Sequence, residues 1–250
     1  MKAKRHRHFN LALAAIAGVA MIGTVRSAEA QIHPSFYGSA EADTRNVQFY
    51  LLGMYVGMGG LGWTPYFDVN GWLLNYPIAG ERENLSAINP TVGLAYATNN
   101  GGVSVGVGYS WVNNPVIGVP GAATGGENGV TASFGAYHNG TGRRALNTQF
   151  LSQYNFGSHY GWGRLRGSVP LGYSARHPTR IGLELVGQGG GRQGITTNQF
   201  DIGPTLEYAW TPNFSTTGVI GYRNVGGSDL AGFTDRESAA YFKLEFSFSP

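Results

Sequence analysis

The closing residues, Ser238 to Pro250, constrain this chain more than any other stretch. Phe242, Leu244, Phe246 and Phe248 alternate with Tyr241, Lys243, Glu245 and Ser247. Successive side chains of a strand point to opposite faces. The segment therefore reads as a strand with one apolar face and one charged face, and the rest of the chain can be tested for the same sidedness.

The first thirty residues read differently. Lys2, Lys4, Arg5 and Arg7 form a basic start, Leu11 to Val25 is an apolar run, and Ala28-Glu29-Ala30 has the small-x-small form of a cleavage site. This is the pattern of a secretory signal peptide. The run falls short of the roughly 20 apolar residues of a membrane-spanning helix. The expected division is a cleaved leader at 1–30 and one domain at 31–250. Of the charged residues, 12 basic and 13 acidic ones follow residue 30. The basic balance of the whole chain thus belongs to the leader and gives no support for nucleic-acid binding. Cysteine is absent, which removes disulfides, thiolate nucleophiles and thiolate metal sites. With 40 glycines, 13% aromatic and only 12% charged residues, against the usual ~25% charged, the chain fits a β-barrel or a secreted β-sandwich binding protein.

Period-2 alternation between turn signals predicts strands near 35–42, 46–57, 62–75, 88–98, 103–112, 129–138, 144–156, 160–172, 180–190, 197–211, 214–225 and 238–248. The count is ten to twelve, because Ser35 to Ala42 holds few strand formers. Asn99 to Gly102, Asn139 to Gly142 and Pro212-Asn213 read as tight turns. Residues 76–87, 113–128 and 226–237 read as long polar loops, and Gly189 to Gly194 as a further flexible one. Short and long connections alternate in parity, as they do in an outer-membrane barrel with short periplasmic turns. Aromatic residues fall at both ends of the strands: Tyr109, Trp111, Tyr154, Phe156 and Tyr222 towards the long loops, and Tyr96, Tyr208, Trp210, Phe214 and Phe248 towards the short turns. Rings that seek the membrane interface produce two such girdles. The fold class expected is all-β: an antiparallel up-and-down transmembrane barrel of about 12 strands.

With the apolar face turned to lipid, the other face carries charge, most of it in the C-terminal half. Arg164, Arg166, Arg180, Arg223 and Lys243 stand with Glu184, Asp201, Glu207 and Glu245; Asn147, Gln149, Gln153, Asp68 and Asn70 add uncharged polar groups and one more acid. Folding back from the turns places Arg180 about opposite Glu207, and Asp201 about opposite Arg223. Opposite charges facing across strands contribute ~0.2–1 kcal/mol each at exposed sites. Two readings follow: the charges brace the wall, or they line a narrow path.

Catalytic and metal chemistry find little footing. Tyr137-His138-Asn139-Gly140 resembles the His-x-Ser-Asn-Gly signature of barrel phospholipases, but the serine is missing. Ser158-His159 has no evident acid partner nearby. His33, His138, His159 and His177 are isolated, without metal-ligand spacing. The expectation is a non-enzymatic chain with no cofactor and no metal.

In pattern, residues 31–250 resemble bacterial outer-membrane β-barrels. That resemblance implies outer-membrane lipid and the barrel-assembly machinery as partners, although Phe248 is followed by Ser249-Pro250 where such chains usually end on an aromatic residue. A thinner similarity links Asn147 to Tyr154, Tyr160 to Arg166 and Gly182 to Leu185 with barrels associated with bacterial cellulose biosynthesis. It implies an accessory role in exopolysaccharide synthesis or export, with polysaccharide or small polar solutes as partners. A structural or narrow-pore barrel in the outer membrane is the leading expectation.

Overall fold

The computed structural model describes residues 32–78, 81–113, 128–142, 145–171, 178–192, 195–228 and 234–250. The expected leader, His177 and nearly all of the expected loop at 113–128 lie outside the described residues. Twelve strands follow one another: β1 (Ile32–Asp43), β2 (Gln48–Met58), β3 (Gly62–Ile78), β4 (Glu81–Thr98), β5 (Gly101–Asn113), β6 (Gly129–Asn139), β7 (Asn147–Asn155), β8 (Tyr160–Pro170), β9 (Thr179–Arg192), β10 (Ile195–Thr211), β11 (Phe214–Ser228) and β12 (Thr234–Phe248). Each pairs antiparallel with its neighbours in sequence, and β1 pairs with β12, from Phe36 opposite Phe248 to Asp43 opposite Tyr241. The sheet is a closed barrel. Closure gives every strand two partners and leaves no edge, and it rules out the two-sheet sandwich.

The outside is apolar. Phe200, Ile202, Leu206, Phe242, Leu244 and Phe246 all point outward and are exposed, Leu244 at 48%. Between them Asp201, Thr205 and Lys243 are buried inside. This is the inverse of a water-soluble barrel, whose exterior must be polar. Rings gather at both rims: Tyr109 with Trp111 at 4.8 Å and Tyr154 with Phe156 at 5.0 Å at one end, Tyr208 with Trp210 at 4.7 Å and Trp63 with Tyr96 at 5.3 Å at the other.

Two of the expected long loops are largely strand. β3 and β4 continue in register through Asn75–Asn84, Tyr76–Glu83, Pro77–Arg82 and Ile78–Glu81, so 76–87 is a projecting hairpin. β11 and β12 pair out to Ser228 and Thr234, so every described residue of 226–237 is strand. Gly189 to Arg192 likewise pairs with Ile195 to Asn198. Loop composition misled because glycine and polar residues are tolerated in a ladder whose neighbours supply the hydrogen bonds. Prolines leave local gaps instead: Pro204 and Pro90 cannot donate, and the β10–β11 and β4–β5 ladders skip them.

Polar side chains close the turns. Asp43 Oδ1 accepts from the backbone N–H of Arg45 at 2.9 Å and of Val47 at 3.1 Å, with Asn46 in the left-handed region at φ 63°; Asn tolerates that conformation better than most residues. Asn155 Oδ1 does the same for Gly157 at 2.9 Å. Inside, tyrosine rings lie over glycines. A Cβ at Gly53 would fall on the ring of Tyr37, and one at Gly93 on the ring of Tyr66. Glycine is required there because the ring occupies the space a side chain would fill.

Candidate functional site: the lumen

The interior is one cavity of about 1290 Å³, lined from Ser215 and Ser247 near one rim to Gly227 and Glu237 near the other. Its wall has three sectors.

The first is ionic. Arg164 and Arg166 on β8 and Glu184 on β9 reach across the lumen to Lys243 and Glu245 on β12. Arg164 Nη1 lies 2.8 Å from Glu245 Oε1, and Arg166 Nη2 lies 2.6 Å from Glu245 Oε2. Lys243 Nζ is 3.2 Å from Glu245. Glu184 is fully buried and accepts from both Arg166 and Lys243, with Arg164 at 4.0 Å. A carboxylate this deep is tolerable only because cations surround it. A second cluster centres on Arg223 of β11, which is opposite Asp201 in the register. Its Nε and Nη2 donate to the two carboxylate oxygens of Asp201 at 2.9 and 2.7 Å. The same guanidinium reaches Glu41 and, at 3.5 Å, Asp43 on β1, and it lies 4.9 Å from the ring centre of Tyr241.

Arg180 and Glu207 are the exception. They are register partners, but no ion pair joins them. Arg180 instead donates to Ser168 Oγ at 3.0 Å, to the Ser168 carbonyl at 2.8 Å and to the Ala145 carbonyl at 2.6 Å. Main-chain acceptors near the end of β8 and just before β7 lie closer to its guanidinium than the carboxylate across the ladder.

The second sector is aromatic and apolar, on β2–β4. Phe49 and Leu51 line the cavity beside Trp72, Leu74 and Leu85, with Phe49 and Trp72 6.3 Å apart. Deeper down, Tyr55 and Tyr66 stack at 5.2 Å. Facing this wall, β5–β8 present hydroxyls and amides such as Ser133, Gln149 and Gln153, where Trp162 Nε1 donates to Gln153 Oε1 at 3.3 Å.

Sequence reasoning missed two features. Glu41 and Asp43 went unnoticed because β1 is poor in strand formers, although Tyr37, Ser39, Glu41 and Asp43 alternate with Gly38, Ala40 and Ala42. The apolar inner wall was hidden because β2 is apolar on both faces from Phe49 to Leu52, which erases the alternation. Of the residues weighed for catalysis, Ser158 is buried in the β7–β8 turn, and His159 beside it sits at φ 52°. Among the described residues, His159, His138 and His33 make no hydrogen bond or ion pair to a carboxylate. No group of three or more His, Asp or Glu side chains able to hold a metal occurs among them either.

No family model matches the chain, and no curated protein matches its sequence. Among solved structures it is similar to the β-domain of the Bordetella autotransporter Brka (TM-score 0.49, 11% identity, covering 88% of this chain and 99% of that one). It is also similar to KdgM porin in complex with disordered oligogalacturonate (0.43, 10%, 86% and 98%) and to NanC porin (0.40, 14%, 86% and 98%). Likeness at this level carries no argument about function.

Proposed function

We propose that the chain is a bacterial outer-membrane β-barrel acting as a narrow pore, its wall braced from inside by ion pairs. The observation that carries this reading is the inside-out sidedness of a closed barrel. Apolar side chains and two aromatic rims face outward, while charges and a rim-to-rim cavity lie within. A closed barrel satisfies every strand edge, which is what a hydrocarbon surround demands of a β-structure. Spread over a hydrocarbon core of ~30 Å, the cavity averages roughly 40 Å² in cross-section. An average of that size suits small solutes and is too tight for a folded chain.

The ionic sector narrows one side of the lumen and leaves the aromatic and amide sectors facing each other. That pairing of rings with amides supports a second reading, an accessory barrel for exopolysaccharide export, since rings and amides are the groups that stack on and hydrogen-bond to sugars. Reconstitution in planar bilayers tests both readings. Small stable conductance steps are expected for the pore, and their reduction by added neutral oligosaccharide would favour the second reading. Silent membranes with correctly folded protein would refute the pore.

A further inference from the structure

We infer that Asp68, with the tyrosines around it, is a monovalent-cation site on the path through the lumen and makes the pore cation-selective. This rests on the pore reading. Asp68 lies on β3, directly opposite Tyr55 of β2 in the register, and lines the cavity. Its carboxylate accepts from Tyr37 Oη at 2.8 and 3.0 Å and from Asn70 Nδ2 at 3.1 Å. Asn70 Oδ1 in turn accepts from Asn89 Nδ2 at 2.9 Å, so neutral donors fix the carboxylate in one orientation.

Asp68 has no cation in contact, a state it shares among the described lumen acids only with Glu207, whose register partner Arg180 turns its guanidinium to Ser168 and Ala145. Glu184 and Glu245 are held by Arg166 and Lys243, and Glu41, Asp43 and Asp201 by Arg223. No described Lys, Arg or His lies within ion-pair distance of Asp68, so its charge is left for something that passes. Tyr55 and Tyr66, stacked at 5.2 Å, line the same cavity and present electron-rich rings, which attract cations through the ring quadrupole. A single carboxylate among phenols, with no second acid or histidine beside it among the described residues, suits a monovalent ion or an alkylammonium. Divalent metals call for more oxygen ligands of higher charge. The remaining interior charges largely cancel one another, so an uncompensated carboxylate on a narrow path dominates the local potential.

The test is the reversal potential of single channels in a KCl gradient, for the wild-type protein and for Asp68→Asn, which keeps shape and hydrogen bonding. Wild type is expected to prefer K⁺ over Cl⁻, and Asp68→Asn to move the permeability ratio towards one. Glu207→Gln, which removes the other lumen acid without an ion pair among the described residues, should move it less. Tetramethylammonium added to one side should reduce the wild-type current, with several-fold weaker block in Asp68→Asn and in Tyr55→Leu. Conductance without cation preference, or a ratio unchanged by Asp68→Asn, overturns the inference and leaves the pore standing. An absence of conductance in every variant overturns the pore and the inference with it.

Discussion

Replacing Glu184 by glutamine probes the brace at its most buried point. The side chain is 0% exposed and is held by Arg166 and Lys243, with Arg164 at 4.0 Å. The substitution keeps the volume and removes the charge, leaving three cations to share one carboxylate. Removing one member of a buried ion pair costs about 3–5 kcal/mol. Here the orphaned cations retain Glu245 at 2.6 to 3.2 Å, and lumen water screens them in part. The expected loss is therefore about 2–4 kcal/mol, below the full penalty for an orphaned charge but above the ~1 kcal/mol ceiling of exposed pairs. The assay is urea unfolding of the refolded barrel in detergent, where a lower midpoint at unchanged slope reports stability alone. Combining Glu184→Gln with Lys243→Met should give a double mutant at least ~1 kcal/mol less destabilised than the sum of the single mutants. A loss below ~1 kcal/mol with additive behaviour would mean that Glu184 acts as a solvated surface acid, and would refute the idea that these charges hold β8–β9 to β12.

Three further outcomes are expected. Leu244→Arg on the outer face should cost ~2–4 kcal/mol in a vesicle refolding assay, whereas Ser133→Arg, which enters the lumen, should cost clearly less; equal penalties would mean the faces are misassigned by one residue. Gly53→Val should displace the ring of Tyr37 from its seat and lose ~1–3 kcal/mol by overpacking, and an unshifted unfolding midpoint would show that the ring has another place to go. In cells, the protein should sediment with the outer membrane, and recovery in the soluble fraction would end the membrane reading.

The fold was legible where one face of each strand meets lipid and the other meets water. From Gln199 to Glu207, Asp201, Thr205 and Glu207 alternate with Phe200, Ile202 and Leu206, and the structure turns the first set in and the second out. Turn chemistry then set the register to within one residue: Pro212-Asn213 joins β10 to β11, and a one-residue shift between Ala209 and Thr211 completes the pairing of Asp201 with Arg223. Register alone could not say where a long side chain ends. Arg180 has the partner that counting gives it, yet its guanidinium spans to Ser168 and Ala145. Contacts across the lumen were further out of reach. Arg166 and Glu245 are far apart in sequence and sit four strands apart around the barrel, so only the curvature of the closed sheet brings them together. The inward apolar wall of Phe49, Leu51, Trp72 and Leu74 was hidden for the opposite reason: it lies where alternation stops.

Brace and path are separable within the cluster of Arg164, Arg166 and Lys243, because its two carboxylates hold different positions. Glu245 lines the cavity, as do Arg164, Arg166 and Lys243, while Glu184 stands behind them and does not reach it. Glu184 thus acts on the lumen only through the cations it holds, whereas Glu245 also contributes its own charge to the path. Glu245→Gln should lower stability, since it strips Arg164 and Arg166 of their 2.8 and 2.6 Å contacts. It should also expose positive charge to the path and move ion preference towards anions. Glu184→Gln should lower stability at least as much and move the preference less. Paired measurements of unfolding midpoint and reversal potential resolve the two roles. If both variants shift selectivity equally, the network is one electrostatic unit with no division between wall and path. If neither does, solute passes along the aromatic side of β2–β4, and the charges serve the wall alone.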